Sequence, residues 1–270
     1  MTPTRMRYAL GVEYDGLGYC GWQRQPERLS IQEALETALS GIGSEPINVI
    51  AAGRTDRGVH ACAQVIHFDT EAQRPLTAWV RGVNALLPPG IAILWAHPVS
   101  PEFHARFSAR SRSYRYLLLN HPVRPALMAG KLGWYHHELD LDLMRQGARF
   151  LLGKQDFSVF RAAECQAKTP LKTLLQAEVA QDGPVFSFSF TADAFLQHMV
   201  RNMVGALVMV GRGNEAPAWI LELLKSRNRT LAAPTFSPDG LYLTGVGYEA
   251  HWNLPQQTSR CDSMLRHGNP

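Results

Sequence analysis

Cysteine is scarce in this 270-residue chain. Cys20, Cys62, Cys165 and Cys261 stand far apart, and no C-x-x-C occurs. That spacing excludes a disulfide-stapled scaffold and offers no cysteine-based zinc site. His60 and Cys62 form an H-x-C pair, and His136 and His137 are neighbours, but neither is a zinc spacing; no metal is expected. No P-loop occurs, and no nucleotide cofactor is expected. No apolar run is long enough to span a bilayer, and residues 1–7 lack an apolar signal region. The expectation is a cytoplasmic protein with no membrane partner. Neither sign of charge dominates: 27 Lys and Arg against 23 Asp and Glu leave a net charge of +4. So small a surplus does not by itself indicate a nucleic-acid partner; the placement of the charge decides.

What is present reads as two similar halves. Tyr8, Leu10, Val12 and Tyr14 alternate as a strand. Ser30-Ile-Gln-Glu33 is a capping box, and Ile31, Leu35 and Leu39 continue one face of a helix that Gly41 and Gly43 are expected to end. Strands are expected at 47–52 and 63–68, a helix from about Pro75 to Leu87, and a strand at 91–96. From 114 the order repeats: a strand to Asn120, a helix over 140–152, strands at 171–180 and around Phe186, Phe188 and Phe190 joined by an Asp182-Gly183 turn, a helix over 198–210, a short helix after Pro217, and a strand at 241–248. Each half is β-α-β-β-α-β. The fold class is α/β (α+β), two ferredoxin-like halves with mainly antiparallel sheets meeting at a central cleft. The expected divisions are 1–105, 106–250 and a polar, disordered tail over 251–270.

Three places carry chemistry. In Gly53-Arg54-Thr55-Asp56-Arg57-Gly58-Val59-His60, two glycines frame a turn and an aspartate sits between two arginines. The glycines let backbone approach a ligand, and the arginines suit both a charged carboxylate and bound phosphate. The same pattern fits an ordinary surface turn. Arg201 is the one charged side chain in the apolar stretch 195–210. A buried guanidinium needs an acidic partner, and Asp56 is the attractive candidate; the other reading has Arg201 snorkelling to solvent. In Phe103-His-Ala-Arg-Phe-Ser-Ala-Arg-Ser-Arg-Ser-Tyr-Arg-Tyr116, four arginines interleave with aromatics and no acid. That composition suits RNA, cations for phosphates and rings for bases. It also suits a solvated basic strand whose aromatics face the core. Arg124 and Lys168 extend the patch.

At these residues the chain resembles the bacterial tRNA pseudouridine synthase A family, from Tyr8 to about Tyr248. Gly-Arg-Thr-Asp-x-Gly-Val-His carries the resemblance. Trp22-Gln-Arg-Gln25, Phe103-His-Ala-Arg-Phe107, Tyr114-Arg-Tyr116, Asp156-Phe157, His198-Met-Val-Arg-Asn202 and Gly240-Leu-Tyr-Leu243 support it in order. The resemblance implies a homodimer with a basic cleft that grips the tRNA elbow and anticodon stem-loop, and pseudouridine formation at tRNA positions 38, 39 and 40. It implies Asp56 as the catalytic residue, Tyr114 against the target base, Arg201 paired with Asp56, and Arg54 linked to base flipping. Substrate contacts are expected from Arg54, Phe103, His104, Ala105, Arg106, Phe107, Tyr114 and Lys168. Two positions depart from the pattern: Arg57 stands where alanine is common, and Pro122 where relatives can carry a basic residue.

Isomerising uridine conserves atoms, which agrees with the expected lack of a cofactor. A stacked uridine must be flipped out, with phosphate contacts offsetting the cost. Asp56 then acts as nucleophile or stabilises the sugar intermediate; the sequence leaves attack on sugar or on base open. A non-catalytic RNA binder would explain the basic strand but not Arg201. A hydrolase built on Asp56 would ordinarily bring a metal-binding acid cluster or a second catalytic acid, which the neighbourhood lacks.

Overall fold

The computed structural model describes residues 5–255. The chain forms two compact units, one running to Arg110 and resuming at Leu243, the other spanning Ser111–Tyr242.

The first unit contains β1 (Met6–Tyr14), α1 (Ile31–Gly43), β2 (Ile50–Ala51), β3 (His60–Thr70), α2 (Val83–Leu86) and β4 (Ile91–Val99). β1 is antiparallel to both β3 and β4, and β2 pairs with β3. The order β4-β1-β3-β2 is that of a ferredoxin-like sheet. β1 is buried on both sides, not one. Tyr8 pairs with Phe68, and both rings meet Trp79 at 5.7 and 5.1 Å. On the other face Ala9 packs with Val65 and Phe103, and Trp95 covers Gly11, where a Cβ would collide with the indole. Small residues at 9 and 11 therefore reflect close cover, not exposure.

α1 begins as expected, with Ser30 Oγ accepting from the Glu33 amide at 3.3 Å. Gly41 and Gly43 do not end it. Ser44 does, in the left-handed region at φ 58°. The expected helix over 75–87 is shorter and mixed: a wide π-turn over Ala78–Gly82 carries Trp79 inward and leads into α2. Leu87 is extended (ψ 148°), as a residue before proline prefers.

The second unit contains β5 (Ala109–Asn120, begun at the end of the first unit), β6 (Gly133–Tyr135), α3 (Leu141–Arg149), β7 (Gly153–Asp156), β8 (Leu171–Asp182), β9 (Val185–Ala192), α4 (Met199–Gly211) and α5 (Trp219–Ser226). Its sheet runs β5-β9-β8-β7, with β6 parallel to β5. Tyr116 and Leu118 lie opposite Phe188 and Phe186, and all four are buried. The alternate residues of β9, Ser187 and Ser189, give the strand its polar face. Asp140 caps α3 by accepting from the Leu143 amide at 2.9 Å, and Gly147 lets the helix lie against Leu207 of α4.

β10 (Leu241–Tyr248), read from the sequence as the close of the second half, pairs with β3, and its Val246 and Tyr248 pack on the first unit's Phe103 cluster. Trp252 and Leu254 join that cluster, so the polar tail begins in packed structure. The rest of the expected tail, 256–270, lies outside the described residues.

Candidate active site

Asp56 sits in the connection from β2 to β3, half-exposed between exposed Arg54 and Arg57. The turn beneath it is tied down on several sides. Ala52 donates to the Val65 carbonyl at 2.8 Å, Trp22 donates to the Thr55 carbonyl at 3.0 Å, and Val59 donates to Asp56's own carbonyl at 3.1 Å. Thr55 Oγ1 lies 2.8 Å from the Tyr14 hydroxyl. Gln64 Nε2 donates to the Gly53 carbonyl at 2.7 Å and lies 3.4 Å from the same hydroxyl. Thr55, Tyr14 and Gln64 are all buried. Burial pushes the Tyr14 hydroxyl up to about 12, against its hydrogen bonds with Thr55 and Gln64.

The loop after β1 supports the turn from outside. Gly16-Leu-Gly-Tyr-Cys-Gly21 has G-x-G-x-x-G spacing, the fingerprint of a dinucleotide-binding turn. From the sequence no such motif was expected, and the chain has one. No helix opens there, since α1 starts only at Ile31. The glycines serve a different contact. A Cβ on Gly16 would collide with the Val59 carbonyl, and one on Gly21, at φ 109°, would lie 2.8 Å from the Thr55 oxygen and 3.1 Å from the Asp56 carbonyl carbon. Backbone thus lies directly on backbone at the aspartate. Gly16 N–H also donates to His60 Nδ1 at 3.1 Å, and Asp15 Oδ1 lies 3.0 Å from the same nitrogen.

The second expected cluster divides by burial. Phe103 and Ala105 are fully buried, so the structure moves both from the expected RNA surface into the core. Phe103 packs 5.3 Å from Tyr248 and 5.2 Å from Trp252. Backbone groups hold the segment: Arg7 donates to the Phe103 carbonyl at 2.8 Å while paired with Asp69, Tyr248 donates to the Ala105 carbonyl at 2.6 Å, and Ala105 donates to His67 Nδ1 at 3.1 Å. His104, Arg106 and Phe107 face outward. Phe107 is 74% exposed and stacks on His104 with ring centroids 4.2 Å apart. The Arg106 guanidinium lies 5.7 Å from the Phe107 ring centre. His104 Nδ1 accepts from the amides of residues 106 and 107. Burial first, then the positive charge of Arg7, lowers both histidines, His67 to about 4. The outcome is an exposed aromatic step with a cation beside it, on a buried aromatic anchor.

The remaining expected residues lie in the second unit. Tyr114, on β5, meets Phe195 edge-on at 5.0 Å. Arg112 donates to the Asp193 carbonyl at 3.0 Å. Arg201 is half-buried on α4, and its Nε donates to the Phe236 carbonyl at 2.8 Å. Its charge acts on Tyr116, whose hydroxyl is raised by burial and then by Asp239, with Arg201 opposing. Lys168 is exposed in the loop before β8. Among the described residues, no group of three His, Cys, Asp or Glu could hold a metal ion, and no helix is long and apolar enough to cross a membrane.

Sequence reading missed the hydrogen bonds under the Asp56 turn. A signal was there: Gln64 is a polar residue in an otherwise apolar alternation with Ile66 and Phe68.

The family model described as tRNA pseudouridine synthase matches residues 11–108 and 148–249 of the chain. The tRNA pseudouridine synthase A of Methylobacillus flagellatus is 61% identical over 93% of this chain and 96% of its own length. That of Nitrosomonas eutropha is 59% identical over 93% and 90%, and that of Dechloromonas aromatica 56% over 97% and 100%.

Proposed function

The chain belongs to the tRNA pseudouridine synthase family, and from that premise we propose that it isomerises uridine to pseudouridine at positions 38, 39 and 40 of the tRNA anticodon stem-loop, with Asp56 as the catalytic carboxylate. The reaction breaks the bond from the sugar C1′ to N1 of the base and forms one from C1′ to C5. C5 loses a proton, N1 gains one, and no atom or electron is left over. The observation that carries this reading is the setting of Asp56: a half-exposed carboxylate on a turn clamped by buried groups, between two exposed arginines. A fixed frame under an accessible charge is what attack on, or stabilisation of, a sugar centre requires.

Arg54 and Arg57 hold phosphates near the everted nucleotide and offset the cost of flipping it. Tyr114 stacks on the target base, and Arg201 serves the reaction as a cation. Exposed Phe107, backed by His104 and Arg106, contacts the RNA by stacking, and Lys168 by charge. Phe103 and Ala105 support that surface from beneath without touching RNA.

The test is pseudouridine formation on an unmodified tRNA transcript, with the modified positions mapped. Asp56→Asn keeps the size and removes the charge, and kcat is expected to fall by roughly 10²–10⁴-fold. A variant that isomerises uridine at near the wild-type rate refutes the assignment. Arg201→Met is expected to lower kcat while the protein stays folded.

A further inference from the structure

β3 turns one row of side chains toward the helical face of its sheet: Phe68 opposite Tyr8, Ile66 opposite Leu10, and Gln64 opposite Val12. Gln64 is as fully buried as its apolar neighbours. A leucine or methionine there would fill the same space, but it would leave the Gly53 carbonyl and the Tyr14 hydroxyl without this donor, so the amide is tied to the turn and not only to the packing around it.

Every polar atom of that amide is used. Oε1 lies 3.2 Å from the Val65 amide, Nε2 donates to the Gly53 carbonyl at 2.7 Å, and Nε2 lies 3.4 Å from the Tyr14 hydroxyl oxygen. Accepting from Gln64 leaves Tyr14 its own proton to give to Thr55 Oγ1 at 2.8 Å. A phenol is protonated at neutral pH, and burial raises it further. Gly53 and Thr55 are two of the three residues before Asp56. One buried side chain therefore fixes both, one directly and one through a tyrosine.

We infer that Gln64 is a positioning residue for the reaction, setting the direction of the Asp56 carboxylate through the Gly53 carbonyl and the Tyr14–Thr55 hydroxyl pair. The inference rests on the reading of Asp56 as the catalytic carboxylate. Gln64 touches no substrate; it acts through the turn. Fully satisfied buried networks of this kind specify one geometry in preference to near alternatives, and small misplacements of a reacting group are costly.

Two variants test it. Gln64→Met conserves volume and removes both donors. Tyr14→Phe removes only the hydroxyl between Gln64 and Thr55. Turnover and tRNA KM are measured on the transcript well below each variant's melting temperature. For Gln64→Met, kcat is expected to fall about 10–100-fold with KM within about 2-fold, and for Tyr14→Phe about 5–20-fold with the same split. A purely structural role predicts a lower melting temperature and a wild-type kcat in the folded protein; that result overturns the inference. Should Gln64→Met fail to fold, Tyr14→Phe decides alone by the same criterion. Asp56→Asn, run alongside, separates the two levels. An active Asp56→Asn removes the reading beneath the inference. An inactive Asp56→Asn beside fully active Gln64→Met and Tyr14→Phe removes the inference only.

Discussion

Replacing Gly21 by alanine adds one methyl group against the backbone that carries Asp56. Two costs arise. At φ 109° an L residue is strained by about 1–3 kcal/mol. The new Cβ would also lie 2.8 Å from the Thr55 oxygen, 3.1 Å from the Arg57 nitrogen and 3.1 Å from the Asp56 carbonyl carbon. All three are backbone atoms, so no flexible side chain can swing away. Restoring ordinary contact at 3.4 Å means that the turn or the glycine loop gives by about 0.6 Å. A shift approaching 1 Å at a reacting group costs up to about 100-fold, so kcat should fall about 10–100-fold. The overpacking adds about 1–3 kcal/mol to the strain. At a combined cost of about 4 kcal/mol the melting temperature drops by roughly 8–16 °C. Gly18 on the same loop is the control. It has φ 82°, yet a Cβ there meets nothing within 4 Å. Gly18→Ala therefore carries backbone strain without collision, and its kcat should stay within about 2-fold of wild type. Single-turnover pseudouridine formation on a tRNA transcript, with a thermal melt of each protein, makes the comparison. Wild-type kcat in Gly21→Ala, or equal losses in the two variants, would refute the argument from backbone contact.

His67 gives a pH prediction. Burial, then repulsion from Arg7, lowers it to about 4 in the folded protein, against about 6.5 unfolded. A depressed value means that the unfolded chain binds the proton first. This contribution to stability is complete above about pH 6.5 and is lost as pH falls toward 4. His67→Asn keeps an acceptor for the Ala105 amide, so its urea midpoint should change less than the wild-type midpoint between pH 7 and 4.5; equal changes would count against the assignment. Within the 103–107 segment, the two phenylalanines should separate by assay. Phe103→Ala should cost about 3–5 kcal/mol of stability. Phe107→Ala should leave the melt unchanged and weaken tRNA binding by about 1–3 kcal/mol, read by a filter-binding titration.

The α+β class and the first unit's β-α-β-β-α-β order were legible because strands and helices differ in hydrophobic period, as α1 and β9 show over whole elements; the second half's order was not, since β6 and β7 add strands and β10 pairs with β3. Short edge strands such as β6 and β7 have too few residues to show a period. The π-turn at Ala78–Gly82 has no sequence signature distinct from a helix. Gly41 and Gly43 looked like a stop, but the helix passed through both and Ser44 took the left-handed position, a choice made by tertiary context. The turn that carries Asp56 was legible from its flanking glycines and arginines. The turn's support was not, because Tyr14 and Gln64 meet Thr55 only after β1 and β3 pair. Phe103-His-Ala-Arg-Phe107 was read as one surface, although alternate residues point in and out, and residues 103 and 105 took the inner places.

The first unit is discontinuous, and that shapes its synthesis. Phe103 is covered by Tyr248 and Trp252, and Ala105 is held by the Tyr248 hydroxyl. When a ribosome has made the segment up to Arg110, those partners do not yet exist. Translating the intervening stretch at about 5–20 residues per second takes roughly 10 s, and throughout it the aromatic anchor waits on a nascent chain without its lid. A message truncated before the codon for Leu243 would yield a product that keeps the Asp56 turn yet exposes Phe103, a sticky surface of the kind that chaperones and proteases sort.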